Sequence, residues 1–178
     1  GTYTAPGRVV KVNLGVGSNP PTRVGAVTLN SGENYLTTAV IDPGDGYAYF
    51  GTNTSPGQVV KVALGAGATP PSRVGTATLG TGENNLRSAI VDTATDYAFF
   101  GTNTSPGRVI KVALGSGITA PSRVGAVTLN SGENILLTAV ADVANGYGYF
   151  GSYTLPGRVA KVALGVGAAP PTRTAGAI

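Results

Sequence analysis

Gly32-Glu-Asn-Tyr-Leu-Thr-Thr-Ala-Val-Ile-Asp42, Tyr47-Ala-Tyr-Phe-Gly-Thr52, Gln58-Val-Val-Lys-Val-Ala-Leu64 and Ser72-Arg-Val-Gly-Thr-Ala-Thr-Leu79 follow one another along the chain, each closed by Gly, Pro, Asn or Asp. The four segments alternate their apolar side chains with the period of two that a strand imposes, and none shows helical spacing. The unit returns every fifty residues. A fixed period of that length signals a repeat architecture, and 178 residues hold about three and a half copies.

Within Gln58 to Leu64, alternation puts Val60, Val62 and Leu64 on one face and Val59, Lys61 and Ala63 on the other. Neither face is fully polar. Such a strand belongs between two neighbouring sheets, with the lysine stem covered and its ammonium reaching an edge. Ala39, Ala89 and Ala139 hold one register position of the first strand in successive units, and small side chains are what a crowded hub requires. The expected fold is therefore all-β, a β-propeller or propeller segment of four-stranded antiparallel blades with a 50-residue repeat.

The blades expected are residues 1–32, a partial blade lacking its inner strand, then 33–82 and 83–132, then 133–178 with a degraded outer strand. Inner strands begin near Leu36, Leu86 and Leu136, while the second and third strands are expected four times each. Pro171-Thr-Arg-Thr-Ala-Gly-Ala-Ile178 has lost the Val-Gly-Ala-Val-Thr-Leu pattern of the other outer strands, so it is expected to fray. Pro56-Gly57 and its copies read as tight turns in which Pro presets φ and Gly supplies φ > 0. Gly65-Ala-Gly-Ala-Thr-Pro-Pro71 reads as a mobile loop.

A ring needs at least about four complete blades, so these ends are not expected to close on each other. Open sheet edges invite strand addition, and the expected partners are other copies of the chain, paired by strand edges at its ends. Twice 178 residues is close to seven repeats of fifty, which suits a seven-bladed ring from two halves. A head-to-tail contact that does not close would give a fibre instead.

Ala39-Val-Ile-Asp42, Gly46-Tyr-Ala-Tyr-Phe-Gly51 and Val59-Val-Lys-Val-Ala-Leu64 resemble the bacterial YVTN-type β-propeller repeats of surface and cell-envelope proteins. The resemblance covers essentially the whole chain and implies a propeller without fixed catalytic residues. The chain departs from that family in its long Gly-Pro loop before Ser72 and in blade length.

Composition narrows the function. Only 11% of residues are charged, against 42% apolar and 28 glycines, and the net charge is +4. Arg8, Lys11 and Arg23 and their copies recur singly among carboxylates and form no basic stripe, so no nucleic-acid partner is expected. Cys, His, Met and Trp are absent. That removes disulfides, imidazole and thiolate metal sites, and the commonest nucleophile and base pairs. No run approaches the roughly 20 apolar residues of a membrane span. The first residue is Gly, which reads as a processed product or an excerpt. Abundant Thr, Ser, Gly and Ala with scarce Lys and Glu look like an extracellular or cell-surface protein.

Glu33 with Asn34, Glu83 with Asn84 and Glu133 with Asn134 form a Gly-Glu-Asn set on one rim. They could grip a cation or sugar near the axis, or bond to backbone and fix the inter-blade turn, which is what a residue present in every unit usually does. Asp42, Asp92 and Asp142 end the inner strands. Equivalent positions oppose the unequal carboxyl pair that glycoside hydrolysis uses. Asp42, Asp45 and Gly46 faintly resemble a calcium loop, but the spacing drifts in the later copies and the ligand count is low. Asn53-Thr-Ser55 and Asn103-Thr-Ser105 satisfy the N-glycosylation pattern. Arg87, Gln58 and Asp96 break the repeat and read as drift on a solvated face. No catalytic, cofactor-binding or metal residue is expected, and no cofactor. The expected role is a non-catalytic extracellular structural or interaction protein; the alternatives are a carboxylate-based propeller hydrolase or lyase, and a carbohydrate-binding module.

Overall fold

The structure, a computed structural model, describes residues 1–178. β1 (Arg8–Asn13) and β2 (Thr22–Thr28) form a two-stranded sheet. Three four-stranded sheets follow. The first is β3 (Leu36–Asp42), β4 (Tyr47–Thr52), β5 (Gln58–Ala63) and β6 (Ser72–Thr78). The second is β7 (Leu86–Asp92), β8 (Tyr97–Thr102), β9 (Arg108–Ala113) and β10 (Ser122–Thr128). The third is β11 (Leu136–Asp142), β12 (Tyr147–Ser152), β13 (Val159–Ala163) and β14 (Thr172–Ala177). Strands pair antiparallel in sequence order, and the inner strands β3, β7 and β11 pack side by side with β7 in the middle. A single 3₁₀ turn, Val143–Asn145, interrupts the all-β pattern, and no helix is long and apolar enough to cross a membrane.

The core lies between blades. Tyr49, Val59, Ala77 and Leu79 of one blade pack on Leu86, Phe100, Ile110 and Val112 of the next. The same arrangement joins Phe99, Val109 and Leu129 to Leu136, Phe150 and Val162, and joins Val9 and Leu29 to Leu36, Phe50 and Val60. Val59, Val60, Lys61 and Val62 are wholly buried, so both faces of β5 are covered, as its alternation requires. Burying such an apolar side chain contributes roughly 1.5–3 kcal/mol, and a blade without neighbours would forfeit it on both faces.

Three expectations are corrected. The second strand occurs three times, because Gly1 to Thr4 keeps only isolated bonds such as Thr2 N–H to Arg8 O at 2.9 Å. Only Gly1 and Thr2 correspond to this strand, matching Gly51 and Thr52 at the end of β4, and two residues are too few to propagate a ladder. The last outer strand does form: β14 pairs with β13 from Thr172↔Ala163 to Ala177↔Val159. Ladder bonds are made by the backbone and survive loss of the Val and Leu pattern, although most of its side chains are exposed.

The third correction concerns the Pro-Gly turns. The peptide bonds before Pro6, Pro56, Pro106 and Pro156 are cis, and the following glycines are not left-handed. Close approach is what demands glycine here. Gly57 N–H donates to Glu83 O at 2.8 Å and Gly107 N–H to Glu133 O at 2.9 Å, tying each turn to the loop that leads into the next blade. A Cβ on Gly107 would stand 2.8 Å from that Glu133 oxygen, whereas one on Gly157 would meet nothing nearer than Thr154 O at 3.8 Å. Gly107→Ala is therefore expected to cost about 1–3 kcal/mol in urea denaturation. Gly157→Ala should stay within about 0.5 kcal/mol of the parent.

Candidate functional site at the blade junction

The third strand of each unit carries a lysine. In all four units the ladder to the outer strand slips just after it, between Lys11 and Val12, Lys61 and Val62, Lys111 and Val112, and Lys161 and Val162. A bulge of this kind re-aims a side chain. Lys11 Nζ donates to the carbonyls of Gly65 at 2.7 Å, Gly67 at 2.8 Å and Thr69 at 3.1 Å. Lys61 Nζ reaches Leu114 O at 3.2 Å, Gly115 O, and Thr119 O at 3.3 Å. Lys111 Nζ reaches Leu164 O at 3.1 Å, Gly165 O at 2.7 Å and Ala169 O at 3.2 Å. An ammonium has three N–H donors, and three carbonyls use them all.

Aromatic rings of the second strand complete the socket. Lys61 Nζ lies 4.1 Å from the Tyr47 ring centroid and Lys111 Nζ 4.2 Å from that of Tyr97. The ammonium expected at an edge is thus buried beneath the next blade's loop. That loop, expected to be mobile, is held at three carbonyls and closed by Thr69 N–H to Ala66 O at 2.9 Å. Gly65 and Gly67, at φ 69° and 49°, permit the turn that brings these carbonyls to one point. Burial pulls Lys61 and Lys111 below the usual lysine value; the charges of Asp45, Asp42 and Asp96 partly offset this at Lys61, and that of Asp92 at Lys111.

Glu33, Glu83 and Glu133 are almost wholly buried. Each accepts the backbone N–H three residues back, from Asn30 at 2.9 Å, Gly80 at 2.7 Å and Asn130 at 2.9 Å. Each also takes a two-pronged grip from an arginine on the outer strand of the blade it leads into. Arg123 Nε stands 2.7 Å from Glu83 Oε2 and Arg173 Nε 2.7 Å from Glu133 Oε2, and Arg73 holds Glu33 likewise. The carboxylates are engaged within their own loops. Asn34, Asn84 and Asn134 make no side-chain hydrogen bond, and Asn134 Oδ1 is buried without a partner.

Burial alone would raise Glu33 and Glu83, but the hydrogen bonds from Arg73 and Arg123 and from the loop N–H groups outweigh it and hold both below the ordinary 4.5. For Glu133 the Arg173 hydrogen bond is the largest influence, in the same direction. A carboxyl whose value is lower folded than unfolded stabilises the fold above the unfolded value, and that stabilisation disappears as pH falls through the folded one. Thermal stability should therefore be level between about pH 6 and 8 and decline below about pH 4.5, and Glu83→Gln should flatten the decline. Scanning calorimetry across that range checks it.

The acids at the inner-strand ends close their own hairpins. Asp42 accepts the Asp45 N–H at 3.3 Å, Asp92 accepts the Thr95 hydroxyl at 2.6 Å, and Asp142 accepts the Asn145 amide at 3.0 Å. Asp96, taken for drift, stands at φ 60° where other copies have glycine, and its carboxylate lies within 4.8 Å of those of Asp42 and Asp45 in the preceding blade. Asp42 of this trio is buried and the other two are exposed. Asn53 Nδ2 donates to the Tyr3 hydroxyl at 2.8 Å and its Oδ1 accepts from Arg87 at 3.3 Å, so a glycan there would displace both contacts. Asn103 is half-buried and its side chain is free of such bonds.

The sequence matches no protein-family model and no curated protein. In three dimensions the chain is similar to Sqt1 of Chaetomium thermophilum. Against Sqt1 bound to the N-terminus of ribosomal protein L10 the TM-score is 0.63 at 13% identity, covering 90% of this chain and 41% of that one. Against Sqt1 alone it is 0.63 at 15% identity, covering 90% and 39%. The fold is a β-propeller. The chain spans about two fifths of the length of these Sqt1 structures.

Within this propeller segment, the residues missed by sequence reasoning are the lysines and the Gly-x-Gly loops they enter. A lysine held at one register of an otherwise apolar strand was the available signal.

Proposed function

We propose that the chain is a non-catalytic structural and interaction module of the cell exterior that assembles with further copies of itself. The observation that carries this reading is the junction itself: a lysine held by three carbonyls of the next blade's loop and a Glu–Arg pair recur from blade to blade, each ammonium and carboxylate hydrogen-bonded within the protein. Groups so engaged serve stacking and are not free for proton transfer. Apolar side chains exposed on both terminal units, among them Val12, Leu14, Leu155 and Val159, support association. The likeness to YVTN-type repeats supports a surface location, and Sqt1 bound to a segment of L10 is an instance of this fold holding protein.

Sedimentation velocity over a concentration series tests the reading. Mass rising above 17.6 kDa is expected, and a single 17.6 kDa species up to about 1 mM would overturn it. A carbohydrate-binding reading has one observation in its favour: Tyr3 and Tyr153 are exposed at the same turn in the first and last units, Tyr3 lying 4.8 Å from Tyr35. Quenching of tyrosine fluorescence by a glycan series would support it.

A further inference from the structure

The two end faces of the chain are the two halves of one junction. On the last blade, Lys161 Nζ lies 3.7 Å from the Tyr147 ring centroid, as the inner lysines lie over their tyrosines, yet it reaches no carbonyl. Around it Tyr149, Val159, Ala175 and Ala177 line an open cavity of about 220 Å³. Tyr49, Val59 and Ala77, at the same positions two blades earlier, are buried by the next blade. On the first unit, the Gly15 to Asn19 loop already has the acceptor shape: Gly15 and Gly17 stand at φ 79° and 63°, and Asn19 N–H closes on Val16 O at 3.3 Å. No lysine enters it. Beside it Val10 and Val12 are 39% and 44% exposed, where their counterparts Val60 and Val62 are fully buried.

We propose that a second copy of this chain docks head to tail, placing its Gly15–Asn19 loop over Lys161 of the first copy, so that the ammonium binds the carbonyls of its Gly15 and Asn19, the two positions used in all three internal junctions. This rests on the assembly reading above and specifies its geometry: packing of blade faces, with a buried charge as the registering element, in place of strand-edge pairing. The occupant is identified by the chain itself, because three internal junctions show what a lysine face of this kind accepts. The docked half lacks the inner and second strands that supply Leu36, Ala48 and Phe50 inside the chain, so less apolar surface is covered than internally.

One residue opposes tight docking. Gly25, Gly75 and Gly125 lie so close to the next blade that a Cβ would stand 2.6–2.8 Å from Pro70, Ala120 or Pro170. The last blade has Ala175 at this position, and its methyl group would press on Pro20 of the second copy. The association is therefore weak in the parent and is strengthened by restoring glycine.

Sedimentation equilibrium on the 178-residue chain and its variants tests the proposal, with circular dichroism confirming that each is folded. Lys161→Ala, and independently Val12→Glu on the opposite face, should each weaken association about tenfold or more, while Ala175→Gly should tighten it by about tenfold. Each weakened variant keeps one intact half. An equimolar mixture of Lys161→Ala and Val12→Glu should therefore form dimers and nothing larger. Association unchanged in both variants would overturn the head-to-tail geometry while leaving self-assembly standing. A parent that never associates would overturn both.

Discussion

Lys111→Ala is expected to lower the free energy of unfolding by about 3 kcal/mol, a fall of roughly 6–12 °C in Tm for a chain of this size. Two losses add. The carbonyls of Leu164, Gly165 and Ala169 lose their common donor; the Leu164 bond is buried and the other two are half-buried, and a buried carbonyl without a partner costs about 1–3 kcal/mol. The lysine stem, wholly buried, also leaves a void beside Tyr97. Lys111→Met should recover the packing and not the hydrogen bonds, and so fall between the two. Lys161→Ala supplies the internal control. Its ammonium touches Tyr147 and no carbonyl, so the change should cost the monomer under about 1 kcal/mol. Thermal melts of the three variants at low protein concentration make the comparison, and equal losses at Lys111 and Lys161 would remove the carbonyl socket as an energetic element.

Strand type, strand order and the 50-residue unit were legible because side-chain alternation and turn residues act locally, within five or six residues. The small residues of the inner strands pointed to a hub, and β3, β7 and β11 do lie side by side there. What the sequence left open is which copy a residue meets. Arg73 is ten residues from Glu83 and forty from Glu33, yet it holds Glu33. Lys61 could serve the loop at Gly65, in its own unit, and serves Gly115 in the next. In a perfect repeat these choices have identical sequence signatures, so only packing decides them. The Pro-Gly turns hid a different cause: Gly57 looked like a left-handed residue, and is glycine because a carbonyl of the following loop approaches it too closely for a Cβ.

Phe100→Ala should have the largest effect, about 4 kcal/mol, by truncating a wholly buried ring in the middle junction. Phe100 stands opposite Ala89 and Ile110 in the ladder and belongs to the cluster that joins Tyr49 and Val59 to Leu86 and Val112. Because blades meet only their neighbours, the loss should not spread evenly. Weakening this junction separates β1–β6 from β7–β14, and urea denaturation should broaden or split into two transitions of lower slope. Phe150→Ala removes a ring of equal burial one junction later and isolates only the last blade. Its amides in β12 and β13 should then exchange with solvent first, while those of β4 and β5 keep their parent protection. The contrast between the two variants separates stacked, semi-independent blades from a single cooperative core. In a single core, both substitutions would lower protection everywhere by the same amount, and the slope of the urea transition would not change.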